Sequence, residues 1–166
     1  MRLIDCDERY SEEILHIFNE VIANSTALYE YKARSLADIH NWFDKKKKHG
    51  FPILALLNDR QTLVGFASYG EFRPFPANQY TVEHSVYIHK DYRGQQLGKR
   101  LLEAICERAN TAGFHTIIGA IDAENTGSIQ LHKKYGFEEC GIIKEAGYKF
   151  DRWLDLLFMQ KIFKGR

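Results

Sequence analysis

At 166 residues, with Lys and Arg at 23 against Asp and Glu at 22, the chain is about the size of one domain and carries a formal net charge of +1. That leaves no overall field to attract nucleic acid or an anionic membrane, and 45% hydrophobic with 27% charged residues is the composition of a folded rather than a disordered protein. Three cysteines, Cys6, Cys106 and Cys140, without C-x-x-C spacing argue against a disulfide framework or a zinc site; with no signal-peptide run and no window near about 20 apolar residues, a soluble, unprocessed, cytoplasmic chain is predicted.

Arg2 to Asp5 reads as a short first strand. Ile14, Ile17, Phe18, Val21 and Ile22 then recur at i, i+3, i+4, i+7 and i+8, the stripe of a helix that buries one face. Ser35 with Asp38 resembles a capping box, and Leu36, Ile39, Trp42 and Phe43 continue a second helix until Gly50. Lys45 to Lys48 at its end complement the helix dipole. No aromatic interleaving accompanies them, so they do not point to nucleic acid.

Phe51 to Leu57 and Leu63 to Tyr69 are apolar runs around Asn58-Asp59-Arg60-Gln61, an antiparallel hairpin in which Gly65 marks a bulge or a close backbone approach. A loop from Glu71 to Gln79 carries Arg73, Pro74, Phe75 and Pro76. Thr81 to Lys99 follows as a strand, a loop with Gly94 and Gly98, and the start of a helix through Leu97, Leu101, Leu102 and Ile105 to about Ala112, with Gly113 as its stop. Period-two alternation sets Glu83, Ser85 and Tyr87 on one face of the strand and Val82, Val86 and Ile88 on the other. A glycine-bearing loop that opens a helix gathers backbone N–H groups and a favourable dipole for an anion.

Thr116 to Ile121 is a buried strand, and Asp122 to Asn125 turns into a helix through Ser128, Ile129, Leu131 and His132 that ends near Gly136. Phe137 to Lys144 and Arg152 to Ile162 are the last two strands. This order describes one α/β sheet with helices packed on it.

Val86-Tyr87-Ile88, Arg93-Gly94-Gln95-Gln96-Leu97-Gly98, Asn125 with Ser128, and Tyr135-Gly136-Phe137 together resemble the acetyl-CoA-binding core of the GNAT superfamily of N-acetyltransferases. Thr81 to Tyr87, Ser128 to His132 and Gly147 to Asp155 are similar to its branch of phosphinothricin and methionine-sulfone acetyltransferases. The resemblance implies one domain over residues 1–166, with a mixed, mostly antiparallel central sheet flanked by helices. It also implies acetyl-CoA as co-substrate, no metal, a small amino-acid-like amine as acceptor, and a homodimer.

Carried onto this chain, the resemblance puts the pyrophosphate on Arg93, Gly94, Gln95, Gln96, Leu97, Gly98 and Lys99. Val86, Tyr87 and Ile88 would bond the pantetheine arm if the neighbouring strand splays away, and Asn125 and Ser128 would hold it from the next strand's end. Asn125 is equally suited to capping a helix. The Ile88 N–H would polarise the thioester carbonyl, a type of interaction worth roughly 3 to 4 kcal/mol in other enzymes.

The family usually has glycine where this chain has Gln96, and a glutamine resists positive φ, so a tighter loop or weaker CoA binding is expected. An α-amino group with pKa near 8 is about a tenth unprotonated at pH 7, so a modest base acting through water suffices. Glu83 fits that part, the alternative being a carboxylate on a solvated face. At position 132 many members have a tyrosine that protonates the CoA thiolate; His132 would take that part, or sit on the helix surface with a structural hydrogen bond. Tyr135 is a nearby alternative, or a core aromatic, and Cys106 reads as packing.

Arg73 would pair a substrate carboxylate or phosphinate, or stand solvated, while Tyr29, Tyr31, Phe75 and Tyr87 would wall the pocket. Arg152 to Asp155 would close the site or meet a second subunit. The competing readings are a transferase for a protein N-terminus or a polyamine, and a non-catalytic acyl-CoA-binding protein, which Gln96 keeps open.

Overall fold

A computed structural model describes residues 1–164. Its strands are β1 (Arg2–Asp5), β2 (Ile53–Leu57), β3 (Leu63–Glu71), β4 (Thr81–Ile88), β5 (Thr116–Asp122), β6 (Glu138–Lys149) and β7 (Arg152–Ile162). The α-helices are α1 (Ser11–Asn24), α2 (Leu36–His49), α3 (Leu97–Thr111) and α4 (Thr126–Lys134). The strands form one sheet in the order β1-β2-β3-β4-β5-β7-β6, antiparallel throughout except for the parallel pair β4–β5. That pair needs a crossover, which α3 supplies. No helix among the described residues is long and apolar enough to cross a membrane.

Because β2 is buried on both faces, its sequence is a continuous apolar run rather than an alternating one. Ala55 and Leu57 face α1 and α2, where they pack with Ile14, Phe18, Ile39 and Phe43. Leu54 and Leu56 turn the other way, toward Leu101, Leu102 and Ile105 of α3. The capping box of α2 forms as expected: the Ser35 hydroxyl accepts from the Asp38 N–H at 3.2 Å, and the Asp38 carboxylate accepts from the Ser35 N–H at 2.7 Å. Gly50, at φ 68°, ends that helix.

Gly65 is both a bulge neighbour and a close approach. The β2–β3 register slips beside it, and a Cβ there would lie 2.6 Å from Ile88 Cδ1 and 3.0 Å from the Tyr87 carbonyl oxygen. β6 runs further than expected, to Lys149 rather than Lys144. It keeps pace with β7 through register shifts at Glu139/Gly141 and Ile143/Gly147, with Glu145 at φ 52° and its N–H donating to Asp155 Oδ1 at 2.8 Å. β6 is the outer edge, and Ile142 and Ile143, on opposite faces, are both exposed.

At the centre the sheet comes apart. β4 and β5 pair at Thr81↔Thr116, Val82↔Ile117 and Glu83↔Ile118 and no further, while β4 continues beside β3 to Ile88 and β5 beside β7 to Asp122. The His89 N–H donates to the Val64 carbonyl on β3 at 2.9 Å. The antiparallel alternation therefore turns the N–H groups of Val86 and Ile88 away from β3 and into the gap.

Candidate active site

The gap is flanked by a strand-loop-helix turn at one end and a carboxylate at the other. Gly94 stands at φ 78°, and Gln96, the residue before α3, at φ 59° and ψ 15°. Gln96 thus takes the positive φ that a glutamine resists, because the helix start requires the left-handed conformation, at a cost of roughly 1–2 kcal/mol for a residue with a Cβ. The exposed backbone at the start of α3 is a suitable anion cradle. The Arg93 side chain turns back from it, pairing with Glu20 on α1 and donating from Nε to the Ile88 carbonyl at 3.3 Å. Lys99 leans toward Tyr135, its Nζ 5.9 Å from the ring centroid.

On the face of β4 toward α1, Glu83 is half-buried, and loss of hydration raises its carboxyl pKa above the ordinary value. Tyr87 on the same face packs against Phe18 and Phe66, with ring centroids 5.2 and 5.4 Å away. Burial pushes its phenol up to about 12.

The loop between α1 and α2 closes over this face. Arg34 lies with its guanidinium 3.9 Å from the Phe18 ring centroid and is held by Glu30 through bonds of 2.8 and 2.7 Å. Its backbone N–H and carbonyl are both taken by the Asn19 side chain. Tyr29 lies flat on Gly147, where a Cβ would come within 2.6 Å of its ring. Desolvation, then Asp122 and Asp155, raise its phenol pKa. Lys149, buried, donates to the Ser25 and Leu28 carbonyls at 2.7 Å each, and the Tyr31 hydroxyl donates to the Tyr148 carbonyl. These bonds tie the α1–α2 loop to the β6–β7 hairpin. Arg73 and Phe75 lie further out on the exposed β3–β4 loop, the guanidinium 5.3 Å from the Phe75 ring centroid.

Across the gap Asn125 caps α4, its Oδ1 accepting from the Ser128 N–H at 3.1 Å. His132 is buried, which corrects the alternative of a helix-surface position. Its Nδ1 is 2.7 Å from the Ser128 carbonyl oxygen and its Nε2 is 3.2 Å from His84 Nε2. The two rings stack with centroids 5.1 Å apart, and Gly119 leaves room for them: a Cβ there would sit 3.0 Å from His84 Nε2 and 3.3 Å from His132 Nε2. Burial lowers both imidazole pKa values, that of His84 to about 3.

Sequence reasoning missed Arg34, Lys149 and His84. Arg34 and Lys149 act through tertiary contacts with no local pattern. His84 did leave a signal, a polar residue at an interior position of the β4 alternation beside Val82 and Val86. Among the described residues no group of three or more His, Cys, Asp or Glu side chains is arranged to hold a metal ion.

Residues 13–137 match the model of the acetyltransferase (GNAT) family. An L-methionine sulfoximine/L-methionine sulfone acetyltransferase of Pseudomonas aeruginosa is 45% identical over 147 residues, 89% of this chain and 86% of that protein. A ribosomal-protein-alanine N-acetyltransferase from Brucella melitensis superposes with a TM-score of 0.96 at 39% identity, covering 98% of this chain and 100% of that one. A GNAT superfamily phosphinothricin acetyltransferase from Sinorhizobium meliloti, solved in complex with acetyl-CoA, does so with a TM-score of 0.95 at 33% identity, covering 98% and 88%.

Proposed function

The chain belongs to the GNAT family of acetyltransferases and is an acetyl-CoA-dependent N-acetyltransferase, and from that premise we propose that its acceptor is the amino group of a small amino-acid-like molecule of the methionine sulfone, methionine sulfoximine or phosphinothricin type. The observation that carries this reading is the splayed β4–β5 gap, with inward-facing amides on one wall and Glu83 where the strands part.

Acetyl-CoA would lie along Val86, Tyr87 and Ile88, with its carbonyl on the Ile88 N–H, its pantetheine arm near Asn125 and Ser128, and its pyrophosphate on the amides from Gly94 to Lys99. The acceptor would enter from the α1 side between Tyr29, Tyr87, Phe75 and Arg73. Arg34 is a second cation for its acid group, with Nη1 left over from its bonds to Glu30. Glu83 takes the amine proton through a water. Its raised pKa makes it a stronger base than an ordinary carboxylate, and the amine needs only about 1 to 2 kcal/mol to lose its proton at pH 7. The nitrogen bonds the acetyl carbon as the carbon–sulfur bond breaks. A thiolate of pKa about 8.5 is protonated from pH 7 water with a gain of about 2 kcal/mol, so no protein acid is required.

We also propose that a second copy of the chain covers β6, whose Ile142 and Ile143 are exposed on both faces of an edge strand.

The test is release of free thiol from acetyl-CoA with pure protein and a panel of methionine sulfone, methionine sulfoximine, phosphinothricin, polyamines and a peptide beginning with alanine. Turnover with the amino-acid analogues is expected. The name of the Brucella relative favours a protein N-terminus as the second reading, and turnover with the peptide alone would establish that one instead.

A further inference from the structure

His84 Nδ1 is the one buried side-chain nitrogen or oxygen among the described residues without a hydrogen-bond partner. Such atoms are uncommon in folded proteins and call for a reason. The bonds around the pair provide one. The Ser128 carbonyl oxygen can only accept, so the His132 nitrogen 2.7 Å from it, Nδ1, carries the proton. A neutral His132 then offers a lone pair at Nε2, and His84 Nε2, 3.2 Å away, must be the donor. His84 is thus protonated at Nε2 and bare at Nδ1, the atom without a partner.

Adding a proton to His132 at Nε2 would drive the His84 proton to Nδ1, where no acceptor meets it. Nothing nearby would offset the charge. Phe137 lies edge-on to both rings, at 5.6 and 4.9 Å, and Gly119 contributes only backbone. On β3, Tyr69 stands opposite His84 with its phenol pKa raised by desolvation, and on β7, Lys161 stands opposite Ile117 as a further cation, so neither supplies a negative charge. On α4, Lys133 and Lys134 are exposed and Lys133 is paired with Glu139 at 2.7 Å; on β4, Glu83 stands on the opposite face.

We infer that His84 is a positioning residue that holds His132 in its neutral, Nδ1-protonated form, so that acetyl transfer proceeds without an imidazolium acid at position 132. The kinetic half of this inference rests on the acetyltransferase reading; the hydrogen-bond pattern does not. The lock also fixes α4 against β4 and β5, and with it Asn125 and Ser128 beside the gap.

Long-range nitrogen-15 NMR of the histidine side chains in the full chain, with and without CoA, reads the pattern directly. At pH 7, His132 shows a protonated Nδ1 and a bare Nε2, and His84 the reverse. An imidazolium, or a protonated Nε2, at His132 overturns the inference. His84→Leu removes the donor that favours a bare Nε2 while leaving the site buried, so His132 takes up its proton at a higher pH than in the parent and the inflection it adds to the pH profile of kcat moves up accordingly. His84→Gln keeps an N–H donor and leaves the inflection where the parent has it. If His84→Leu leaves both spectrum and profile as in the parent, the lock does not exist. Should that variant not fold, the parent spectrum alone decides. Failure of every amine to be acetylated would sink the functional reading and leave the tautomer result standing.

Discussion

At Gln96 two local costs oppose each other, and their sizes decide the sign of a substitution. Holding a residue with a Cβ at φ 59° costs roughly 1–2 kcal/mol, while glycine loses about 0.5–1 kcal/mol more in backbone entropy on folding. Gln96→Gly should therefore stabilise the protein by about 0.5–1 kcal/mol in urea unfolding, with acetyl-CoA affinity at least maintained. Glu83 gives a pH-dependent case. Its pKa is raised in the fold, so its contribution to stability is greatest below the ordinary carboxylate range and is lost as pH rises through the elevated value. Glu83→Gln should be more stable than the parent at pH 7 and indistinguishable from it near pH 3.5. It should also lower kcat on the order of 10²-fold, the lower end of general-base contributions, and remove the acidic limb of the rate profile. Both residues were legible in the sequence, Glu83 from its phase in β4 and Gln96 from its departure from the family's glycine. The conformation of Gln96 was not, because the helix start sets it rather than the residue's own preference.

Among the elements, β4 is the one on which the site depends, and β3 holds its far end in place. Gly65 lets the Ile88 end of β4 lie against β3, with the Tyr87 carbonyl 3.0 Å from where a Cβ would be. Gly65→Ala must displace backbone rather than only the flexible tip of Ile88. A loss of about 1–3 kcal/mol is expected in thermal or urea unfolding, together with a raised KM for acetyl-CoA as the Ile88 N–H shifts. The strands, helices and capping box were readable because each follows a local period or a local hydrogen bond. The pairing of His84 with His132 spans 48 positions and has no such signature. β6 was read as ending too early because its bulges at Gly141 and Gly147 break the alternation that marks a strand.

For the whole molecule, the β6–β7 hairpin joins two properties, the apolar edge and the α1–α2 loop proposed to wall the acceptor pocket. Ile143 is 53% exposed and Trp153 60%, while Lys149 and Tyr148 on the same hairpin bond the loop that carries Tyr29 and Tyr31. If a second copy covers β6 as proposed, Ile143→Glu should leave the protein monomeric in sedimentation or light scattering. Because the loop is tied to that hairpin, KM for the amine should rise more than KM for acetyl-CoA. A parent protein that is monomeric at micromolar concentration would refute the proposed second copy.

The short ladder between β4 and β5 divides the sheet into two rafts that meet along a seam of three residue pairs. Acetyl-CoA laid in that seam would serve as a missing strand as well as a substrate. Amide hydrogens at Val86 and Ile88 should exchange quickly in the free protein and slowly with the thioester or CoA bound. Ligand at a hundred times its Kd should raise resistance to unfolding by about 2.7 kcal/mol. The lifetime of the enzyme against heat and proteases would then follow the supply of its own acetyl donor.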